Sequence, residues 1–407
     1  MALMPVAEAL QRVLAGARAL PAEDVALSNA LGRVLAKDLI ALRTQPPAAL
    51  SAMDGYAVRA EDVANGPATL TMIGEVAAGH PFDGKVGPGQ AARIFTGGVI
   101  PDGADTVVVQ ELVTRDGDKV TTQKPTAKAR NVRAAGIDFR QGEVLLRAGR
   151  RLTDRDLMLA AAMNYPTLSV HRRPKVAVLG SGDELLMPGS SLKAGEIIYS
   201  NGFALTALAQ SEGAVVTDLG IARDKLDDIA AAIRRACDSG ADILLTSGGA
   251  SVGDHDLVQR ALKAEGLDLS FWRVALRPGR PMMHGRLARP DAADMQVLGV
   301  PGNPVSSYVC GFLFLVPLIR ALSGRADVNQ KPEPARLGRD MPPNDERADY
   351  IRATLAHGPD GPVATPLPAQ DSSLMAPLAQ ADCLLIRPSG APAAAAGSPC
   401  GILKLVL

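Results

Sequence analysis

The chain has 407 residues, too many for one ordinary hydrophobic core, which predicts two to four domains. Its 47% hydrophobic and 21% charged residues are a globular mix, whereas 3% aromatics excludes single-stranded nucleic acid held on stacked rings. Basic and acidic residues number 43 each, and zero net charge argues against a polyanion-binding surface spread over the whole chain.

Val6, Leu10, Val13, Leu14 and Ala17 repeat at helical spacing, and Pro21 is expected to close that first helix. From about 46 to 140 the texture changes to short strand-like runs at 70–73, 92–95 and 106–109. Turn signals at Gly66-Pro67, Gly87-Pro88-Gly89 and Asp116-Gly117 separate them. This predicts a small all-β domain (46–140) inserted into helical material, which resumes at 154–163. From Lys175 strands and helices alternate, with strands at 176–179, 242–246 and 296–300. The clearest helix is 225–239, where Leu226, Ile229, Ile233 and Cys237 share a face, Asp224 is the expected N-cap and Gly240 the stop. Alternation of this kind means a parallel sheet with helices on both faces, a doubly wound α/β domain over 175–326. After Gly324 the chain is Pro-rich and β-like, with strands expected at 384–386 and 401–407 and a loop at 390–398.

The longest apolar run, 308–319, is shorter than the ~20 residues of a membrane span and contains Gly311 and Pro317, so no span is expected. The four cysteines lack CxxC spacing and the five histidines are scattered, which indicates neither a zinc site nor a disulfide framework. No charged leader with a cleavage site is visible, and a cytoplasmic location is expected.

Ligands of open α/β sheets bind beyond the carboxyl ends of the strands. Strand 176–179 runs into Gly180-Ser181-Gly182-Asp183-Glu184, half a dinucleotide fingerprint with Leu185 where the third glycine would stand. Asp183 and Glu184 either cap the next segment or face a phosphate with Mg²⁺ between them. Strand 242–246 runs into Ser247-Gly248-Gly249-Ala250-Ser251-Val252-Gly253-Asp254, where backbone N–H groups and two hydroxyls converge as an anion site would need. Asp254 is either a metal ligand there or the cap of the next helix. Strand 296–300 runs into Pro301-Gly302-Asn303-Pro304-Val305-Ser306-Ser307 and brings a helix N-terminus to the same edge, with Asn303 or Ser306 as alternative caps. Arg277-Pro278-Gly279-Arg280 suits an oxyanion clamp, although two loop arginines are often merely solvated. Residues 175–326 hold 15 basic and 16 acidic side chains, so local geometry rather than bulk charge must attract an anion. The pattern GxxxxGK[ST] is absent, and no residue pair suggests a Ser-His or Cys-His nucleophile.

Together, 51–57 (Ser-Ala-Met-Asp-Gly-Tyr-Ala), Phe95-Thr96-Gly97-Gly98, 101–105, 180–184, 247–254 and 301–306 resemble the molybdopterin molybdenumtransferases of the MoeA type, including the gephyrin E domain. The likeness runs in order over nearly the whole chain. It implies a helical dimerisation domain (1–45 and 141–174), the inserted β domain, a molybdopterin-binding α/β domain and a C-terminal β-barrel-like domain (327–407). It also implies a homodimer in which the inserted domain of one subunit faces the cleft of the other. The implied reaction converts adenylylated molybdopterin and molybdate to molybdenum cofactor, AMP and water with Mg²⁺, after handover from a molybdopterin adenylyltransferase. No nucleic acid and no membrane are involved.

Carried over by position, the catalytic carboxylates fall on Asp54, Asp138, Glu184, Asp224 and Asp254, with Glu184 and Asp254 expected on the metal. Thr96, Ser247, Gly248, Gly249, Ser251, Arg277, Arg280, Pro301, Gly302, Asn303, Pro304 and Ser306 are expected to bind substrate. The chain departs from the family in carrying arginine where lysine is common at 277 and 280, and His255 where tyrosine is common. Asp371-Ser372-Ser373-Leu374-Met375 lacks the glycine spacing of an anion turn, which leaves little for Arg347, Arg352, Ser372 or Ser373 to do with molybdate. Two other readings stand beside this one: a molybdopterin adenylyltransferase on the same scaffold, and a pterin-carrying scaffold without turnover.

Overall fold

Helix α1 (Val6–Leu14) opens the computed structural model, which describes residues 3–248, 257–289 and 292–405. The helix stops well before Pro21, and Gly16 follows in the left-handed region at φ +77°. Ala9 and Val13 are fully buried, but not in the N-terminal unit: α1 lies against the end of a long helix far down the chain. The N-terminal unit itself contains α2 (Asp154–Ala162), started by a capping box between Thr153 and Asp156. Two antiparallel pairs complete it, Ala22–Ala26 with Thr167–His171 and Leu39–Ile40 with Val144–Leu146. Leu168 and Val170 alternate inward on one of these strands and meet Leu35, Leu152 and Met163 in a separate core.

The inserted domain is a six-stranded sheet in the order Thr106–Val109, Gly55–Val58, Gln90–Ile94, Thr69–Val76, Lys119–Thr122, Val113–Asp116. Its last two strands are a hairpin turned at Gly117, φ +60°.

The central sheet comprises β1 (Lys175–Ser181), β2 (Val215–Ala222), β3 (Ile243–Ser247), β4 (Leu267–Arg273), β5 (Pro281–Arg289) and β6 (Ala292–Val300), in the order β2-β1-β3-β6-β5-β4. The first four are parallel; β5 and β4 are antiparallel additions, which alternation alone did not predict. A parallel return needs a crossover of about a dozen residues, and the chain between β4 and β5 is shorter than that. Helix α3 (Asn201–Ser211) covers one face with the long α6 (Pro304–Leu322), while α4 (Leu226–Asp238) and α5 (Leu257–Ala264) cover the other. Contrary to the sequence expectation, α6 is long and apolar enough to cross a membrane. It is a core helix here, 83% buried. A π-helical stretch at Gly311–Leu315 lies in its middle.

The C-terminal strands close on themselves. Ala348–Gly358, Gly361–Pro366, Glu333–Leu337, Pro399–Lys404 and Cys383–Arg387 pair in that order, and the last pairs back with the first. This five-stranded barrel leaves no free edge inside the ring. Leu276–Arg277 of the central domain docks in parallel on Ala348–Asp349.

Candidate functional site

Register places the site. Gly180 of β1 lies opposite Ser247 of β3, and Ser247 opposite Val300 of β6, so three chain segments leave the sheet side by side. Ser181-Gly182, Gly248 and Pro301-Gly302 therefore share one edge. Gly248 adopts φ +94°, and a Cβ there would lie 2.3 Å from the Ser181 carbonyl oxygen. Only glycine lets these two turns approach so closely.

The carboxylates stand on the first of these turns and beside it. The Ser181 hydroxyl donates to Asp224 Oδ1 at 3.1 Å, and the Asp183 N–H lies 3.4 Å from Asp224 Oδ2. In return the Asp224 N–H donates to Asp183 Oδ1 at 3.2 Å. The expected N-cap role of Asp224 is thus overturned: Lys225 occupies the cap position, without a side-chain cap, and the Asp224 carboxylate turns back to β1. Glu184 is exposed on the same rim.

Several structuring residues escaped the sequence reading. Asn201, the first residue of α3, donates from Nδ2 to Ser247 Oγ at 2.8 Å and to the Gly302 carbonyl at 2.7 Å. One amide thereby ties the turn after β3 to the turn after β6. Tyr199 packs its ring where a Cβ on Gly180 or on Gly202 would stand, at 2.5 and 2.3 Å. The first glycine of the 180–184 motif therefore admits a ring rather than a phosphate. The Tyr199 hydroxyl is buried with no partner among the described residues, and burial pushes its pKa up.

The α6 N-terminus is capped by neither expected side chain. Asn303 holds the cap position, but its Nδ2 donates across to Ser372 Oγ at 2.9 Å, and the Val305 N–H donates to the Ser372 carbonyl. Ser306 is buried in the first turn. The barrel loop that supplies Ser372 is shaped by Arg352, whose fully buried guanidinium donates to the Leu374, Ala369 and Asp371 carbonyls and to Gln370 Oε1. Asp371 in turn accepts from the Ser373 hydroxyl at 2.6 Å and from its N–H, which hold its carboxyl below the usual range. The loop, which lacked an expected role, is thus a wall of the site.

These groups enclose a cleft of about 890 Å³, lined by Glu184, Asp224, Ser247, Gly248, Pro301, Gly302, Asn303 and Pro304, with Tyr199, Asn201, Ser373 and Met375. The structure does not bring the other expected residues to it. Arg277 pairs with Asp345 and, at 3.3 Å, with Asp349, two carboxylates of the barrel. The Asp345 carboxyl is held at about 2, first by the Arg347 guanidinium, while burial pushes Asp349 up. Arg280 is exposed and lines no part of the cleft. Asp54 and Thr96 sit together in the inserted domain: the Thr96 N–H and hydroxyl donate to Asp54 Oδ1 at 2.7 and 2.8 Å. The N–H first and the hydroxyl second keep the Asp54 carboxyl below its ordinary range. Beside them Arg93 lies over the rings of Tyr56 and Phe95. Asp138 is exposed, without an ion pair among the described residues. Gly249, Ser251, Asp254 and His255 lie outside the described residues.

Among the described residues no three His, Cys, Asp or Glu side chains gather into a metal cage. Mg²⁺ does not require one, because it is commonly held by one or two carboxylates with substrate phosphates. Glu184, exposed on the rim of a cleft edged by backbone turns, suits that mode.

Three turns at the parallel edge of an α/β sheet, walled by a loop of a docked barrel, define a multidomain protein built around one central cleft. Its central segment, 177–321, matches the family model of a probable molybdopterin binding domain; 4–164 match the MoeA N-terminal region (domains I and II) and 334–405 the MoeA C-terminal region (domain IV). The chain is 34% identical to molybdopterin molybdenumtransferase of Bacillus subtilis over 95% of this chain and 90% of that one. It is 32% identical to the protein of that name from Staphylococcus aureus strain Mu50, over 98% and 95%. The crystal structure of a molybdopterin biosynthesis MoeA protein from Pyrococcus horikoshii OT3 superposes with a TM-score of 0.84 at 28% identity, covering 99% and 100%. The chain belongs to the MoeA family of molybdopterin molybdenumtransferases.

Proposed function

We propose that this enzyme inserts molybdate into adenylylated molybdopterin, releasing AMP and water and forming molybdenum cofactor. The single observation that carries the reading is the cleft, where the turns after β1, β3 and β6 meet carboxylates and a barrel loop. The substrate has two chemical needs: donors for phosphate oxygens, and a place where a second anion meets the dithiolene. Backbone N–H groups and the hydroxyl of the Ser247-Gly248 turn supply the donors. Ser251 and Gly249 extend the same turn in the sequence. Glu184 and Asp254 would hold Mg²⁺, which spreads charge over the phosphoanhydride when bound. Asp224, fixed by Ser181, is placed to orient water at the adenylyl bond. Arg280 is a cation without an ion pair among the described residues, while Arg277 is balanced by Asp345 and Asp349. We assign Arg280 to first contact with molybdate and Arg277 to binding alone, since an arginine does not donate its proton.

The cleft of one chain contains neither Asp54, Thr96 nor Asp138. That separation supports a homodimer in which the facing subunit supplies them. Exposed Ile40, Leu42, Ile137, Val144 and Met158 in the N-terminal unit and its junction with the inserted domain offer apolar surface for the contact. We also propose that the enzyme works in the cytoplasm and receives its substrate from a molybdopterin adenylyltransferase. Relatives of nearly full length are named for molybdenum transfer, so the adenylyltransferase and scaffold readings are not favoured.

The test is AMP release from adenylylated molybdopterin with Mg²⁺, with and without molybdate. Molybdate-stimulated release in the wild type, lost in Glu184→Ala and Asp254→Ala, is expected. Tight pterin binding without AMP, or adenylylation of free molybdopterin by ATP, would sink the proposal.

A further inference from the structure

A second cavity, of about 270 Å³, lies where the N-terminal unit, the central domain and the barrel meet, and shares no lining residue with the cleft. It is lined by five cationic side chains and two carboxylates. Its centre is Glu212, just past the end of α3 and buried. Arg320 grips both Glu212 oxygens at 2.9 and 2.7 Å, and Arg325 adds a third bond at 2.6 Å while reaching Asp327 with its other edge. A third guanidinium, Arg151 of the N-terminal unit, joins them and donates to the Ser211 carbonyl at 2.8 Å. From the barrel side come Lys404, paired with Glu333 at 2.7 Å, and Lys331, which has no ion-pair partner among the described residues.

Glu212 and Asp327 face three guanidiniums and Glu333 offsets Lys404, which leaves one guanidinium and Lys331 uncompensated in a half-enclosed space, where water screens charge poorly. Burial first, then repulsion from Arg325 and Arg320, makes the Arg151 proton easier to lose than usual. Planar guanidiniums and a free ammonium at one cavity suit the oxygens of a tetrahedral anion. The location adds a second point: α3 and α6 both begin at the cleft, with Asn201 and Pro304, and both end here, with Glu212 and Arg320.

We propose that this junction binds a tetrahedral dianionic oxyanion of the phosphate, sulfate or molybdate type, held by Arg151, Lys331 and Lys404 as a clamp between the three units. The anion lies apart from the reaction cleft and steadies the far ends of the two helices that position it.

The experiment is isothermal titration of the full chain with inorganic phosphate, sulfate and molybdate in turn, with sodium chloride holding ionic strength constant. Saturable binding of one phosphate or sulfate per chain is expected, with a rise in melting temperature. The double variant Lys331→Ala/Lys404→Ala changes partly or fully exposed side chains and keeps the fold. It should weaken binding about tenfold, since it removes two charge-assisted contacts. Arg280→Ala, at an exposed residue that lines neither cavity, should leave phosphate and sulfate binding unchanged. Loss of binding in Arg280→Ala with full retention in the double variant would overturn the proposal by moving the anion to the cleft. So would the absence of any saturable binding in the wild type, which would mean that Glu212, Asp327 and Glu333 already satisfy the cluster.

Discussion

His284 shows how a single side chain ties stability to pH. It sits in β5, 1% exposed, with Nε2 3.1 Å from Gln296 Oε1 and its ring against Phe271. Burial pushes its pKa below the usual histidine value; the bond to Gln296 opposes this and Arg286 adds to it. Above about pH 6.5 the ring is neutral in both folded and unfolded chains, and its contribution is complete. As pH falls below that value the unfolded chain takes up the proton first, so stability is lost. Urea midpoints of the wild type should drop between pH 7.5 and 5.5, and His284→Gln should flatten part of that drop. An equal slope in both proteins would reject the assignment. At this scale the sequence was legible where a residue type and its neighbours in the chain decide the structure, as in the glycine turns that follow β1 and β3. It was opaque where a contact joins distant segments: nothing near Gly180 announces that a ring 19 positions later needs its space.

Among the elements, the decisive join is made by α3. Asn201 is the one side chain bonded to both the Ser247 turn and the Gly302 turn among the described residues. Asn201→Ala should cost about 1–2 kcal/mol in denaturant unfolding. It should raise the KM for adenylylated molybdopterin more than it lowers kcat, because it loosens a binding wall. A fall in kcat at unchanged KM would place Asn201 in the chemistry instead. The strands β1, β3 and β6 were readable as apolar runs ended by Gly, Ser-Gly or Pro-Gly turns, because buried parallel strands are hydrophobic on both faces. Strand β2 was not: Asp218 and Gly220 interrupt it, and as the sheet edge it alternates poorly. Strand β5 hides behind His284, Gly285 and Arg286, polar or small residues that pair against β4 and β6. Helix α3 escaped because apolar residues surround it on most sides, which leaves no stripe to find.

For the whole molecule the open question is which chain completes which site. A two-fold dimer with shared sites makes a definite prediction for mixed dimers of Asp54→Ala and Glu184→Ala subunits. Each variant alone should be inactive. Co-expressed and purified as a heterodimer, they should recover about half of wild-type AMP release, because one of the two symmetric sites is then fully wild type. No recovery would mean that Asp54 serves its own chain or only its own fold. The domain order was legible from texture, since alternating, strand-rich and helical stretches differ in period. How the units interlock was not. Helix α1 is amphipathic like many others, and nothing in its nine residues says that its partner is α6. That arrangement has a consequence for biosynthesis. The surface that α1 packs against is not finished until Leu322 has been added, about 300 residues later, roughly 15–60 s at ordinary elongation rates. Through that interval the nascent chain carries α1 with its apolar face uncovered, a natural handle for chaperones that hold unfinished chains.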